Sequence, residues 1–236
     1  MERADILSSL AASGADTAPE VLTDLAAEFD IPAADLLVIA GHPVPAELLP
    51  PQRDAAIMKQ FAYRVSHCDH AQLALLADFV RAQPRLDAVA PFVQSTSPYF
   101  TPAESGLGAV FNGMIRNRGF GAKELPFVGL SLSTLFGMVS DWRPTPNRRY
   151  ELCAIAGLLG WRLPDLFAVV GEPYSPDFRP ALLCRHVGRV FMAAIPLTTA
   201  QLIECAQEAD RLSARESHGA WQPVSEGSVA ECPDFP

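Results

Sequence analysis

A stretch of twenty-two residues recurs in this chain without a gap: shifted by 130 positions, Leu22 to Pro43 lies on Leu152 to Pro173. Leu22, Ala26, Asp35, Leu36, Gly41 and Pro43 fall on identical residues. Leu25, Phe29, Ile31, Leu37 and Ile39 fall on Ile155, Leu159, Trp161, Phe167 and Val169. Those apolar positions recur at the three- and four-residue spacing of a helix face, not at the alternation of a strand. Asp30 interrupts the first copy and Gly41-His42-Pro43 closes it, so the spacing predicts helices over Pro19 to Phe29 and from Pro32 or Ala33 to Ala40. The fold class expected from this is all-α, a multi-helix chain with a partial helical repeat.

Between the copies, Leu107, Val110, Phe111, Met114 and Ile115 place one apolar stripe on a further helix. Its start is marked by Thr101 as cap, Pro102 at the first position and Glu104 where a capping box closes. Arg118 and Gly119 end it, Ala122 to Val128 make a short second helix, and Gly129 gives the backbone freedom for a sharp turn before Ser131 caps a third. The third carries Leu135, Met138 and Val139 inward.

The run Lys123-Glu124-Leu125, then Gly129-Leu130-Ser131-Leu132-Ser133-Thr134-Leu135, followed by Arg143-Pro144-Thr145-Pro146 and the helix Arg148 to Leu159, resembles the XRE (Cro and lambda-repressor type) helix-turn-helix domain. The resemblance implies a lambda-repressor-like domain over 101–172, a transcriptional regulator, and double-stranded DNA as partner, with the helix opened by Ser131 in the major groove. On it, Ser131, Leu132, Ser133, Thr134 and Phe136 would form the reading surface, and Arg116, Arg118, Lys123, Arg143, Arg148 and Arg149 would face phosphates. The outward positions hold Leu132, Phe136 and Gly137 where Arg, Gln or Asn would make bidentate base contacts, so low base specificity is expected. The alternative reading keeps the scaffold and turns Leu132 and Phe136 toward another protein or a second copy.

Charge bears on both readings. The chain has a net charge of −9, too acidic for a protein that coats nucleic acid through counterion release. Residues 104–162 nevertheless hold seven basic and four acidic groups, and this +3 segment coincides with the helix-turn-helix candidate. Residues 1–48 stand at −8, which repels DNA and makes the first helical unit a packing or protein-facing module.

A stiff Pro-rich connector leads into a helical pair and linker over 49–100, with Ile57, Phe61 and Val65, then Leu73, Leu76, Phe79 and Val80, on the inner faces. Ser66-His67-Cys68-Asp69-His70 between them has no second ligand pair at metal spacing and reads as a capped turn, so no metal or cofactor is expected. Over 173–213 a helical hairpin is expected, with Leu183, Val187, Val190 and Phe191 on one helix and Thr198 with Gln201 opening the other, packing on the core or across a homodimer. Residues 214–236 turn polar and read as a disordered tail.

Five cysteines without a disulfide framework, no secretory pattern at the start and no long apolar run make a cytoplasmic protein with no membrane partner the expectation. No Gly-rich phosphate loop after a strand and no Gly-x-Ser-x-Gly occurs, so an enzyme is not expected.

Overall fold

Regular structure among the described residues consists of eleven α-helices and one 3-10 turn, with no strand. In chain order these are α1 (Arg3–Ser13), α2 (Pro19–Phe29), α3 (Ala33–Ile39), α4 (Ala55–Ser66), α5 (His70–Arg81), α6 (Gly106–Arg116), α7 (Leu132–Asp141), α8 (Arg149–Leu159), α9 (Leu163–Val170), α10 (Leu182–Ala194) and α11 (Thr199–Glu216). The computed structural model describes residues 2–13, 16–86, 103–121, 130–141, 149–179 and 182–216. The expected helix Ala122 to Val128, the cap Thr101 with Pro102, and the tail beyond 216 lie outside them.

Local chemistry accounts for several helix starts. Asp54 caps α4, accepting the N–H of Ala56 at 2.7 Å and of Ile57 at 3.3 Å. Asp69 and Gln72 close a capping box on α5, and Thr198 and Gln201 exchange a similar pair of bonds ahead of α11. The start of α6 differs from expectation. It begins at Gly106 after Ser105, because Gly106 takes φ +73° and the Ala103 N–H is bonded to the Val139 carbonyl at 3.0 Å, which ties 103–105 to α7.

The two copies of the repeat form their turns with the same hydrogen bonds. Asp30 and Gly160, 130 positions apart, both take positive φ, and the next residue donates back to Ala26 and to Ala156 respectively. Gly41 and Gly171 end the second helix of each copy in the left-handed region, where His42 donates to Leu37 and Glu172 to Phe167. Each copy thus becomes a helix pair, α2 with α3 and α8 with α9.

The pairs are not packed each on its own neighbour in sequence. Helix α1 lies against α9, and α3 lies against α6, which in turn carries α7. On the other side α4, α5, α10 and α11 form a four-helix layer, and α10 crosses α8 to join the two. That crossing is close: a Cβ on Gly188 would stand 1.8 Å from the Gly157 carbonyl oxygen, so two backbones meet with no side chain between them. One apolar core runs through both layers.

The hairpin expected over 173–213 is α10 with α11, and its central apolar residues pack inside this chain, while Leu183, expected inward, is exposed in the first turn of α10. Val187, Val190 and Phe191 on α10, and Leu202, Cys205, Ala209 and Leu212 on α11, are buried in the core that the layer shares with α4, α5 and α8. Helix α11 also runs to Glu216, three residues past the expected boundary, with Arg64 and Asp210 paired across α4 and α11 at 2.5 Å. Arg53 joins the layers from within. Its buried guanidinium donates to the carbonyls of Leu197 at 3.0 Å, Arg118 at 3.2 Å and Ala194 at 2.9 Å, and burial pulls its pKa down to about 10. No helix among the described residues is long and apolar enough to cross a membrane.

Candidate functional site

Helix α7 has a buried face and an exposed start. Leu135, Met138 and Val139 are completely buried, as their spacing predicts, and fix the helix against α6. At its N-terminal end Ser131, Leu132 and Ser133 are exposed, Leu132 to 42%. Ser131 caps the helix: its Oγ accepts the Thr134 N–H at 3.0 Å and lies 2.8 Å from Ser133 Oγ and 2.9 Å from Thr134 Oγ1. Three hydroxyls therefore cluster at the positive end of the helix, bonded to one another and to the Thr134 amide. Phe136 is half-buried against the core, and its carbonyl accepts from Ser140 Oγ at 2.7 Å.

The cations expected around α7 divide sharply. Arg116, on the last turn of α6, is exposed. Arg149 is half-buried, pairs with Glu172 at 3.2 Å and stands over the Phe178 ring at 5.7 Å, so much of its charge is already matched. Lys123, Arg143 and Arg148 lie outside the described residues.

Arg118 does not reach the surface. It retains 2% of its exposure and its Nη1 pairs with Asp35 Oδ1 at 2.5 Å, Asp35 being fully buried. The same guanidinium donates to the carbonyls of Met114 at 2.8 Å and Leu159 at 2.6 Å. Asn117 Nδ2 and Trp161 Nε1 also donate to the Asp35 carboxylate, at 2.9 and 2.8 Å. The reason for the discrepancy is tertiary. The turn after α6 inserts under α3, where a buried carboxylate requires a cation and several donors. A phosphate-facing role for Arg118 is replaced by a structural one.

The counterpart of Asp35 in the second copy, Asp165, has the same fate. It is buried and takes Arg3 Nη2 at 2.6 Å, with Arg162 at 3.7 Å from its rim, while Arg3 also lies 4.9 Å from the centre of the Phe29 ring. Each copy thus holds one buried aspartate answered by an arginine from another part of the chain. Asp35 falling on Asp165 among otherwise apolar identities was the sequence signal for this.

Reactive sulfur is disfavoured. Burial pushes the Cys68 thiol up to about 11 and Cys205 up to about 12, and moves Cys153 and Cys184 in the same direction, so these groups stay protonated at neutral pH. Among the described residues no three His, Cys, Asp or Glu side chains are grouped to hold a metal ion. No family model, curated protein or solved structure matches the chain.

Proposed function

We propose that this chain is a helix-turn-helix regulator of the XRE type that lays the start of α7 on duplex DNA and reads little base sequence. The observation that carries the reading is the one-sided seating of α7. Its inner face is locked by Leu135, Met138 and Val139, and the Ser131, Leu132 and Ser133 turn at its start is left exposed. Ser131 and Ser133 suit phosphate and backbone contact, whereas specificity would come from DNA shape or from a partner. In a homodimer two such helices would meet half-sites about 34–36 Å apart.

A salt titration of duplex binding tests this. Random-sequence duplex should bind with a Kd of about 1–100 μM and weaken steeply as salt rises. Ser133→Asp and Arg116→Glu should each weaken it further while leaving the thermal midpoint unchanged. Absence of binding at low salt, or binding indifferent to both substitutions, overturns the reading.

Exposed Leu132 favours a second reading, in which the same turn meets another protein or a second copy. If Leu132→Asp abolishes self-association in sedimentation while duplex binding is absent in the parent chain, this second reading replaces the first.

A further inference from the structure

Among the described residues a group of five arginines lies away from α7, in a cleft of about 710 Å³ between α10 and the turn that joins α8 to α9. Arg81, Arg162, Arg179, Arg185 and Arg189 line it, and no lining residue is acidic, in a chain whose net charge is −9. Arg185 and Arg189 sit one turn apart on α10, both exposed, and neither forms an ion pair with a described residue. Like charges at that spacing disfavour the helix, a cost that a bound anion removes. The others are matched only at their edges: Arg81 with Asp78 at 2.5 Å on the surface, Arg162 with Asp165 at 3.7 Å, and Arg179 with the carbonyl of Pro176.

The remaining walls are aromatic and close-fitting. Tyr174 and Phe178 face the cleft, with Phe178 stacked on buried Phe167 at 5.3 Å and so held in orientation. Gly160 lets the floor approach Met192, since a Cβ there would stand 2.9 Å from Met192 Cγ. Helix α9 starts on the floor, and no side chain caps its first amides. Guanidinium forks match phosphate oxygens, and aromatic rings beside them match a planar base. Five guanidinium groups exceed what a single carboxylate would neutralise. The volume lies in the range of small-molecule sites.

We propose that this cleft binds a nucleoside di- or triphosphate, its phosphate chain held by Arg185, Arg189 and Arg162 and its base against exposed Tyr174. The proposal stands independently of the DNA reading. Such a ligand would be an effector of whatever the rest of the molecule does, because the cleft is built from the α8–α10 crossing that joins the two layers.

The test is calorimetric titration of the full chain with ATP, tripolyphosphate and adenosine in low-salt buffer, repeated on the Arg185→Ala/Arg189→Ala double variant and on Tyr174→Ala. ATP should bind with Kd below about 1 mM, at least about tenfold more tightly than tripolyphosphate or adenosine. The double variant should lose at least about tenfold in affinity, and Tyr174→Ala should close the gap between ATP and tripolyphosphate. Both variants replace exposed side chains, and an unchanged circular dichroism melt confirms that they fold. No heat with ATP, or ATP affinity unaltered in the double variant, overturns the proposal. Equal affinity for ATP and tripolyphosphate in the parent chain overturns the base-binding half. Duplex DNA that ATP displaces, and that the double variant no longer binds, would make the cleft a clamp for nucleic-acid phosphates and overturn the small-ligand assignment.

Discussion

Asp35 and Arg118 lie 83 positions apart in sequence and 2.5 Å apart in the structure, both sealed from water. The carboxylate is answered by Arg118, Asn117 and Trp161, and the guanidinium by Asp35 and two carbonyls through its two Nη groups, while Arg118 Nε is buried without a partner.

Breaking that pair should be costly in one direction only. Asp35→Ala leaves a buried, uncompensated guanidinium, and urea denaturation should show a loss of about 3–5 kcal/mol. Replacing both partners, as Asp35→Leu/Arg118→Met, should recover much of the loss, because a well-packed apolar pair removes both desolvation penalties. A double variant no more stable than Asp35→Ala would show that Asn117 and Trp161, not the ion pair, carry the effect.

The backbone contact of α8 with α10 makes a second prediction. Gly188→Ala forces a methyl to within 1.8 Å of the Gly157 carbonyl oxygen, so the helices must separate, at a cost of at least about 1–3 kcal/mol. Gly171→Ala has open space for its methyl and meets only the strain of φ +72°, about 1–2 kcal/mol. Chemical denaturation of the two variants side by side should rank Gly188→Ala as the more damaging. The opposite ranking would mean that α10 can slide on α8.

Alkaline pH should weaken the fold through its thiols. The Cys68 pKa is raised from 9.0 to about 11 and that of Cys205 to about 12, so above pH 9 the unfolded chain releases protons that the native chain keeps. Stability therefore falls as pH climbs through that window. Cys68→Ala/Cys205→Ala should flatten the decline in thermal midpoint between pH 8.5 and about 11. In the native protein both thiols should resist alkylation at pH 8 by comparison with the urea-unfolded chain, as read by mass spectrometry.

Acid should act through His186. Burial, and after it His70, Arg189 and Arg185, hold this imidazole below its ordinary value, and the His70 ring is stacked on it at 4.8 Å. Below about pH 6.5 the unfolded chain takes up this proton before the native chain does, so stability declines as pH falls. His186→Asn should reduce the slope. A polyanion bound near Arg185 and Arg189 should move the His186 titration upward in proton NMR, and an unmoved titration at saturating ATP would place the ligand elsewhere.

Helix periodicity was legible without coordinates, and capping chemistry in part. Leu135, Met138 and Val139 face inward and the repeat stops at Gly41 and Gly171. The capped turn at 66–70 left Ser66 and Asp69 open, of which Asp69 caps α5, and the start of α6 falls at Gly106 rather than after Thr101. Charge was not legible. Counting cations by segment treated Arg118 and Arg149 as available, but a count has no knowledge of Asp35 or Glu172, which become neighbours only when separate helices pack. The same blindness hid the cleft, whose five arginines span positions from Arg81 to Arg189 across segments with little net charge. Of the expected α10 stripe Val187, Val190 and Phe191 are buried, whereas Leu183 in the first turn is exposed; period alone cannot say which surface covers a stripe, and here α4, α5 and α8 do.

Arg3 meets Asp165 across 162 positions, and this fixes when α1 can settle. As the chain leaves the ribosome, its first helix has no seat until α9 has also emerged, so α1 must wait while nearly everything between them is made. A nascent chain halted before Asp165 should therefore show protease cleavage near Arg3 that disappears once synthesis is complete.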